Sequence, residues 1–217
     1  MVQSSRWGAL IGTWVLALAA PAGLGQTVLT INASDSQVVI LVGKAGLMSF
    51  AGHAHEVVAP AARGRVTFDP LDLPHASVSL EFDAAALRVM GTGESASDLS
   101  TVQATMLSDR VLDVARFPKI DFQSRNVSVA LHGANAADVT IEGDMTLHGK
   151  SRPMTIRASA ALDAAGGVTA RGSFTIKQTD FGIVPVTAAG GTIRVKDELD
   201  IQFVLKASPA HETRSAR

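Results

Sequence analysis

At 217 residues the chain suits one domain with a short extension, and about 190 residues are enough to enclose a sizeable core. Its 19 basic and 20 acidic residues are spread along the chain for a formal net charge of -1, which excludes an electrostatic footprint for nucleic acid and a strongly basic membrane-surface patch. With no cysteine, it can form neither a disulfide nor a thiolate metal site and has no Cys nucleophile.

Residues 1–25 read as an export signal: Arg6 supplies the positive start, "WGALIGTWVLALAA" the apolar run, and Pro21 to Gly25 a mostly small-residue end. Cleavage is expected after Ala22 or Gly25. The run is short for a bilayer span, so no stable membrane insertion is expected once the signal is removed, with an uncleaved N-terminal anchor as the alternative.

Period-two alternation then dominates. "SQVVILVG" sets Val38, Ile40 and Val42 on one face, "GRVTFDP" pairs Val66 with Phe68, and "ASVSLEFD" sets Val78, Leu80 and Phe82 opposite Ser79 and Glu81. One segment breaks the pattern: in "SASDLSTVQATMLSDRVLDVARFP", Ser95 and Asp98 have capping-box spacing and Leu99, Val102 and Met106 follow at helical offsets until Pro118. The spacing predicts one helix, or two short ones.

Alternation resumes with Ile120 and Phe122, then Val127, Val129 and Leu131, then Val139, Ile141, Met145 and Leu147, then Met154, Ile156, Ala158 and Ala160. The last two strands carry Val168, Ala170, Gly172, Phe174 and Ile176, and then Ile193, Val195, Leu199, Ile201, Phe203 and Leu205. "HGANAAD", "HGKSRP" and "DAAGG" are turn sequences, the last expected to close a hairpin. The tail "SPAHETRSAR", residues 208–217, is polar and expected to be flexible.

Many antiparallel strands with one apolar side each, plus one helical insertion, make residues 26–207 an all-β domain, a sandwich or a barrel. Closure is favoured because strands as long as 168–178 would otherwise leave a long exposed edge. An antiparallel barrel of about eight strands is then expected, its interior filled by side chains or holding one small apolar ligand.

The order of motifs is telling: "GHAHEV" then "GRVTFDP", "LDVARFPKIDFQS", "IEGDMTLHGKSRPM", and "TDFGIVP" followed by "VKDELDIQF". From about residue 27 to 206 the chain resembles the YceI-like, or polyisoprenoid-binding, family. The resemblance implies a lipocalin-like barrel that holds the tail of an isoprenoid lipid or quinone, usually in the bacterial periplasm. It carries over Phe117, Pro118 and Phe122 as an "FP..F" piece, Gly143, Leu147, His148 and Gly149 as "G..TLHG", and Asp180, Phe181 and Gly182 as "DFG". The family's usual Arg before "DFG" is replaced here by "QTDFG".

On this reading Val66, Phe68, Leu80, Phe82, Met106, Phe122, Met145, Phe174, Ile176 and Ile193 line the cavity, and His53, His55 and Arg63 mark its mouth. A second reading makes His53 and His55 a Zn²⁺ or Cu²⁺ pair, with His75, His132 or His148 as third ligand; a third is a filled barrel serving as an interaction module. His148 is expected to fix a turn by a hydrogen bond, and Asp180 to accept backbone N–H groups in a turn. Enzyme readings lack a basis: there is no Gly-x-Ser-x-Gly elbow, no His-Glu-x-x-His, no phosphate loop and no dinucleotide fingerprint. No catalytic residue, cofactor or metal is assigned.

Overall fold

The computed structural model describes residues 25–45, 55–60, 63–70, 72–91, 95–188 and 193–209. Three strands of the barrel are interrupted midway. β1 (Thr27–Ile31) and β2 (Gln37–Ala45) lie end to end on one edge of β12 (Ile193–Pro209), separated by a 3₁₀ turn at Ala33–Asp35. β3 (His55–Val58) and β4 (Arg63–Asp69) pair with β2 and β1 in turn. β5 (Asp72–Asp83) and β6 (Arg88–Met90) follow, interrupted by a 3₁₀ turn at Ala84–Ala86. The interruptions adjoin one another across the sheet and fall at small residues, "NASDS", Ala59 with Pro60, and "DAAAL", with little side chain to hold a pleat.

The remaining strands are β7 (Lys119–Leu131), β8 (Ala136–Leu147), β9 (Lys150–Leu162), β10 (Val168–Lys177) and the two-residue β11 (Thr187–Ala188). All pairings are antiparallel, and because β1 pairs with both β4 and β12 the ring β1-β4-β5-β7-β8-β9-β10-β12 closes. The eight-stranded barrel is thus the observed fold. Closure removes the long edge that an open sheet would expose.

The sole α-helix among the described residues is α1 (Ala96–Leu107). The Ser95 hydroxyl accepts from the Asp98 N–H at 3.1 Å and donates to its carboxylate at 2.8 Å. A series of turns, including Leu112 N–H to Met106 O at 3.1 Å, replaces a second helix. α1 sits where the edge of β6 would otherwise be open. The Gln103 side chain accepts from Val89 N–H at 2.8 Å and donates to Leu87 O at 2.9 Å, so its amide substitutes for a neighbouring strand.

The barrel has two unlike ends. At the tip end lie the β4–β5 turn, the β7–β8 turn at 132–135 and the β9–β10 turn at 163–167. In the last, the Asp163 carboxylate accepts from Ala165 and Gly167 N–H at 2.8 Å each, giving the hairpin read from "DAAGG". At the helix end lie α1, the His148–Gly149 turn and a 3₁₀ turn at Gln178–Phe181. His148 and Gly149 have φ of 51° and 70°, which makes a two-residue hairpin of the type that matches the sheet twist.

Candidate functional site

The inward face of the barrel surrounds a cavity of about 880 Å³. That lies within the range of roughly 300–1,000 Å³ in which proteins enclose whole small-molecule ligands. The wall is built by alternation: Val38, Ile40 and Val42 face in from β2, Val66 and Phe68 from β4, Leu80 and Phe82 from β5. Phe122, Met145, Phe174 and Ile176 face in from β7, β8 and β10, and Met106 from α1. A register shift between Ser124 and Asn126 moves the inward positions of β7 from even to odd numbers, so Val127, Val129 and Leu131 also line the cavity.

Small residues keep the lumen open. Ala158, Ala160 and Ala170 occupy inward positions of β9 and β10. Gly143 and Gly172 leave room for the Phe122 and Phe203 rings to lie against the wall, where a Cβ would collide with them. These positions were readable as apolar, but alanine marks an inward face without saying that the volume beyond it is empty.

Of the expected mouth residues, His55 lines the cavity from β3, opposite Val42. His53 lies outside the described residues, as does the side chain of Ile193, whose backbone pairs with Ala188. Arg63 is a correction. It alternates with inward Val66 and points outward, 80% exposed, with Nη1 3.9 Å from Glu81 on the outer wall.

At the tip end the apolar lining runs out to solvent. Leu131 is 64% and Leu162 41% exposed, yet both line the cavity, and the two hairpin tips are joined by Leu162 N–H to Asn135 O at 2.8 Å. At the helix end the lining turns polar. Lys44 continues the inward series of Val38, Ile40 and Val42, Thr101 and Thr105 come from α1, and Arg110 from the turn after it. Gln178 is 5% exposed and donates to Lys196 O at 2.7 Å. Lys44 and Arg110 were missed by sequence reasoning, although the parity of Lys44 with the β2 stripe carried the signal.

Three titratable groups with shifted pKa values, His75, Glu81 and Asp197, lie on the outer surface. The hydrogen bond to Asp72, at 2.6 Å, raises His75; the hydrogen bond from Lys119, at 2.8 Å, lowers Glu81; and hydrogen bonds from the Thr179 hydroxyl and N–H lower Asp197. None of the three lines the cavity. The histidines proposed as third metal ligands are engaged elsewhere: His75 with Asp72, His132 with Asp138 at 2.7 Å, and His148 with the Phe181 carbonyl at 3.3 Å. Among the described residues no three of His, Asp or Glu converge on one point.

The motif pieces shared with the family gather at the helix end as structural supports. The Phe117 ring stands edge-on to His148 at 4.8 Å and occupies the space a Cβ on Gly149 would take. His148 Nδ1–H donates to the carbonyl of Phe181, itself 2% exposed, so the "FP", "HG" and "DFG" pieces lock together. Asp180 does not play the part expected of it. Its carbonyl accepts from Arg152 Nε at 2.8 Å, whereas the carboxylate that organises the turn is Asp197, which accepts from Thr179 N–H at 2.9 Å and Oγ1 at 2.6 Å.

Comparison with known proteins matches the YceI-like domain over residues 29–207. A protein of Pseudomonas savastanoi named UPF0312 protein is 40% identical over 97 residues, 42% of this chain and 46% of that protein; one of Pseudomonas putida is 37% identical over 95 residues. The chain therefore spans less than half the length of the curated relatives it matches. Among solved structures, Burkholderia cenocepacia BcnA superposes with a TM-score of 0.57 at 19% identity, covering 82% of this chain and 99% of that one. A polyisoprenoid binding domain from Saccharophagus degradans, implicated in plant cell wall breakdown, gives 0.57 at 14% identity, covering 83% and 98%. Both establish the likeness of fold.

Proposed function

The chain belongs to the YceI-like family, and from that premise we propose that it is an exported, non-catalytic carrier that holds the tail of an isoprenoid lipid or quinone inside its barrel. The observation that carries this reading is the closed barrel around an 880 Å³ lumen walled by aliphatic and aromatic side chains. Burying a methylene is worth about 0.8 kcal/mol, so a tail of about twenty carbons gains roughly 16 kcal/mol before association costs. No specific polar contact along the tail is needed. The polyisoprenoid binding domain with the same fold supports a lipid-type ligand.

Export is supported by the Arg6-led apolar start, with the bacterial periplasm as destination. No helix among the described residues is long and apolar enough to cross a membrane.

The test is displacement of a fluorescent apolar probe by geranylgeraniol, in the natural protein and in Phe174→Asp, whose ring lines the lumen and stands 6.2 Å from that of Phe203. A charge on that wall is expected to weaken retention by about a hundredfold or more in a chain whose far-ultraviolet circular dichroism is unchanged. Equal retention by the variant would contradict the placement of the ligand.

A further inference from the structure

The cavity's charge departs from that of the chain. Against 20 acidic and 19 basic residues overall, the lining contains Lys44 and Arg110 and, among the described residues, no aspartate or glutamate. Neither cation is held in an ion pair among the described residues, as is also true of Arg65, Arg157 and Arg171 on the outer strand faces. Both lie at the helix end. There β2 pairs with β3, β3 with β6, and β6 is bridged to α1 by Gln103, so four adjoining elements and the turn after α1 bring Lys44, His55, Thr101, Thr105 and Arg110 to one side of the lumen. At the tip end the only polar lining residue among the described residues is Asn135.

We propose, building on the carrier reading, that the helix end receives an acidic head group, a carboxylate or phosphate, and that Lys44 and Arg110 select for it while the tail points to the apolar tips. Lys44 is half-buried and Arg110 exposed at the rim of the lumen, so both are charged and hydrated, and an acidic head between them gains charge-assisted hydrogen bonds that a quinone or alcohol head does not. Arg110 supplies the planar fork that matches an acid's oxygens, and Lys44 a compact charge. Thr105 adds a hydroxyl donor from the helix, whereas the Thr101 hydroxyl already donates to Ser97 O at 2.9 Å.

The test uses delipidated protein and four competitors with one common tail: geranylgeranyl phosphate, geranylgeranoic acid, geranylgeraniol, and the quinone bearing the same chain. Each displaces the fluorescent apolar probe. The acids are expected to do so at concentrations at least tenfold lower than the alcohol or quinone, and the tighter of the two identifies the acid. In Lys44→Gln combined with Arg110→Gln the ratio of acid to alcohol affinity is expected to fall to within about twofold; Lys44→Met combined with Arg110→Met, which keeps more of each stem's apolar surface, repeats the measurement if the first variant is unstable. Equal displacement by all four, or an unchanged ratio in the variants, overturns the head-group assignment and leaves the carrier reading standing. Failure of every competitor to displace the probe from natively folded protein overturns the carrier reading and this assignment with it.

Discussion

The two ends of the barrel differ in what their residues are for. At the helix end Phe117, His148, Gly149, Phe181 and Asp197 interlock through rings, a carbonyl and a turn, and Phe181 is 2% exposed. At the tip end Leu131 and Leu162 project into solvent while still lining the lumen, and Leu162 N–H reaches across to Asn135 O. The family's motif residues thus concentrate where the fold is held together. The lumen and its rim rest on ordinary alternation. A carrier needs a firm frame and a forgiving wall, because an apolar tail asks only for volume and the absence of unpaired polar groups.

Matched glycines expose the contrast most strongly. Gly149 at the helix end and Gly133 at the tip end have φ of 70° and 78°, but a Cβ meets the Phe117 ring at the first and nothing within 4 Å at the second. Gly149→Ala is expected to cost about 2–4 kcal/mol and Gly133→Ala about 1 kcal/mol, read as a difference in urea midpoint. Equal losses would show that the helix end is no more tightly built than the tips.

Next in size is Gln103→Ala, which leaves Val89 N–H without its side-chain partner and Leu87 C=O with only the Arg88 guanidinium, at 2.9 Å. A loss of about 1–2 kcal/mol is expected, with faster amide exchange at Val89 and little change on β9. The leucines at the tips lie further down the scale. Leu131→Ser and Leu162→Ser remove exposed side chains and are expected to shift stability by no more than about 0.5 kcal/mol, so a large drop in Tm would mean that the rim is part of the frame.

The smallest effects come from two exposed polar pairs, one at each end. Asp197 is held below its ordinary 3.8 by the Thr179 hydroxyl, so its contribution is present above pH 3.8 and fades as pH falls through the lowered value. His75 is held above 6.5 by its hydrogen bond to Asp72, so its contribution is present below pH 6.5 and fades as pH rises through the raised value. Asp197→Asn is expected to flatten the acid side of a stability–pH curve and His75→Ala the alkaline side. An effect of either variant on the opposite side would contradict these pairings.

Much of the barrel could be read from alternation, since a strand with one buried face writes its period into the sequence. The three interruptions could not: "NASDS", Ala59 with Pro60, and "DAAAL" are short and small, and only the register across neighbouring strands reveals that they adjoin. Within the site, Phe82, Phe122 and Phe174 were legible because large inward residues announce themselves. Lys44 was not, because a charge ending an apolar stripe reads as the end of the strand, nor was Arg110, which lies in the turn after α1 and outside any apolar stripe. Arg63 misled for the opposite reason: its nearness to the first motif suggested a mouth, whereas parity with Arg65 and Thr67 puts it on the outer wall beside Glu81.

The most direct test of the central claim is native mass spectrometry of the full chain recovered from a bacterial periplasm, with solvent extraction and metal analysis of the same sample. The carrier account predicts one extractable species per chain, its mass in the isoprenoid or quinone-tail series, and loss of that species in Phe174→Asp. Protein that leaves a lipid-rich compartment with an empty lumen, or with a stoichiometric metal ion and no lipid, would contradict it.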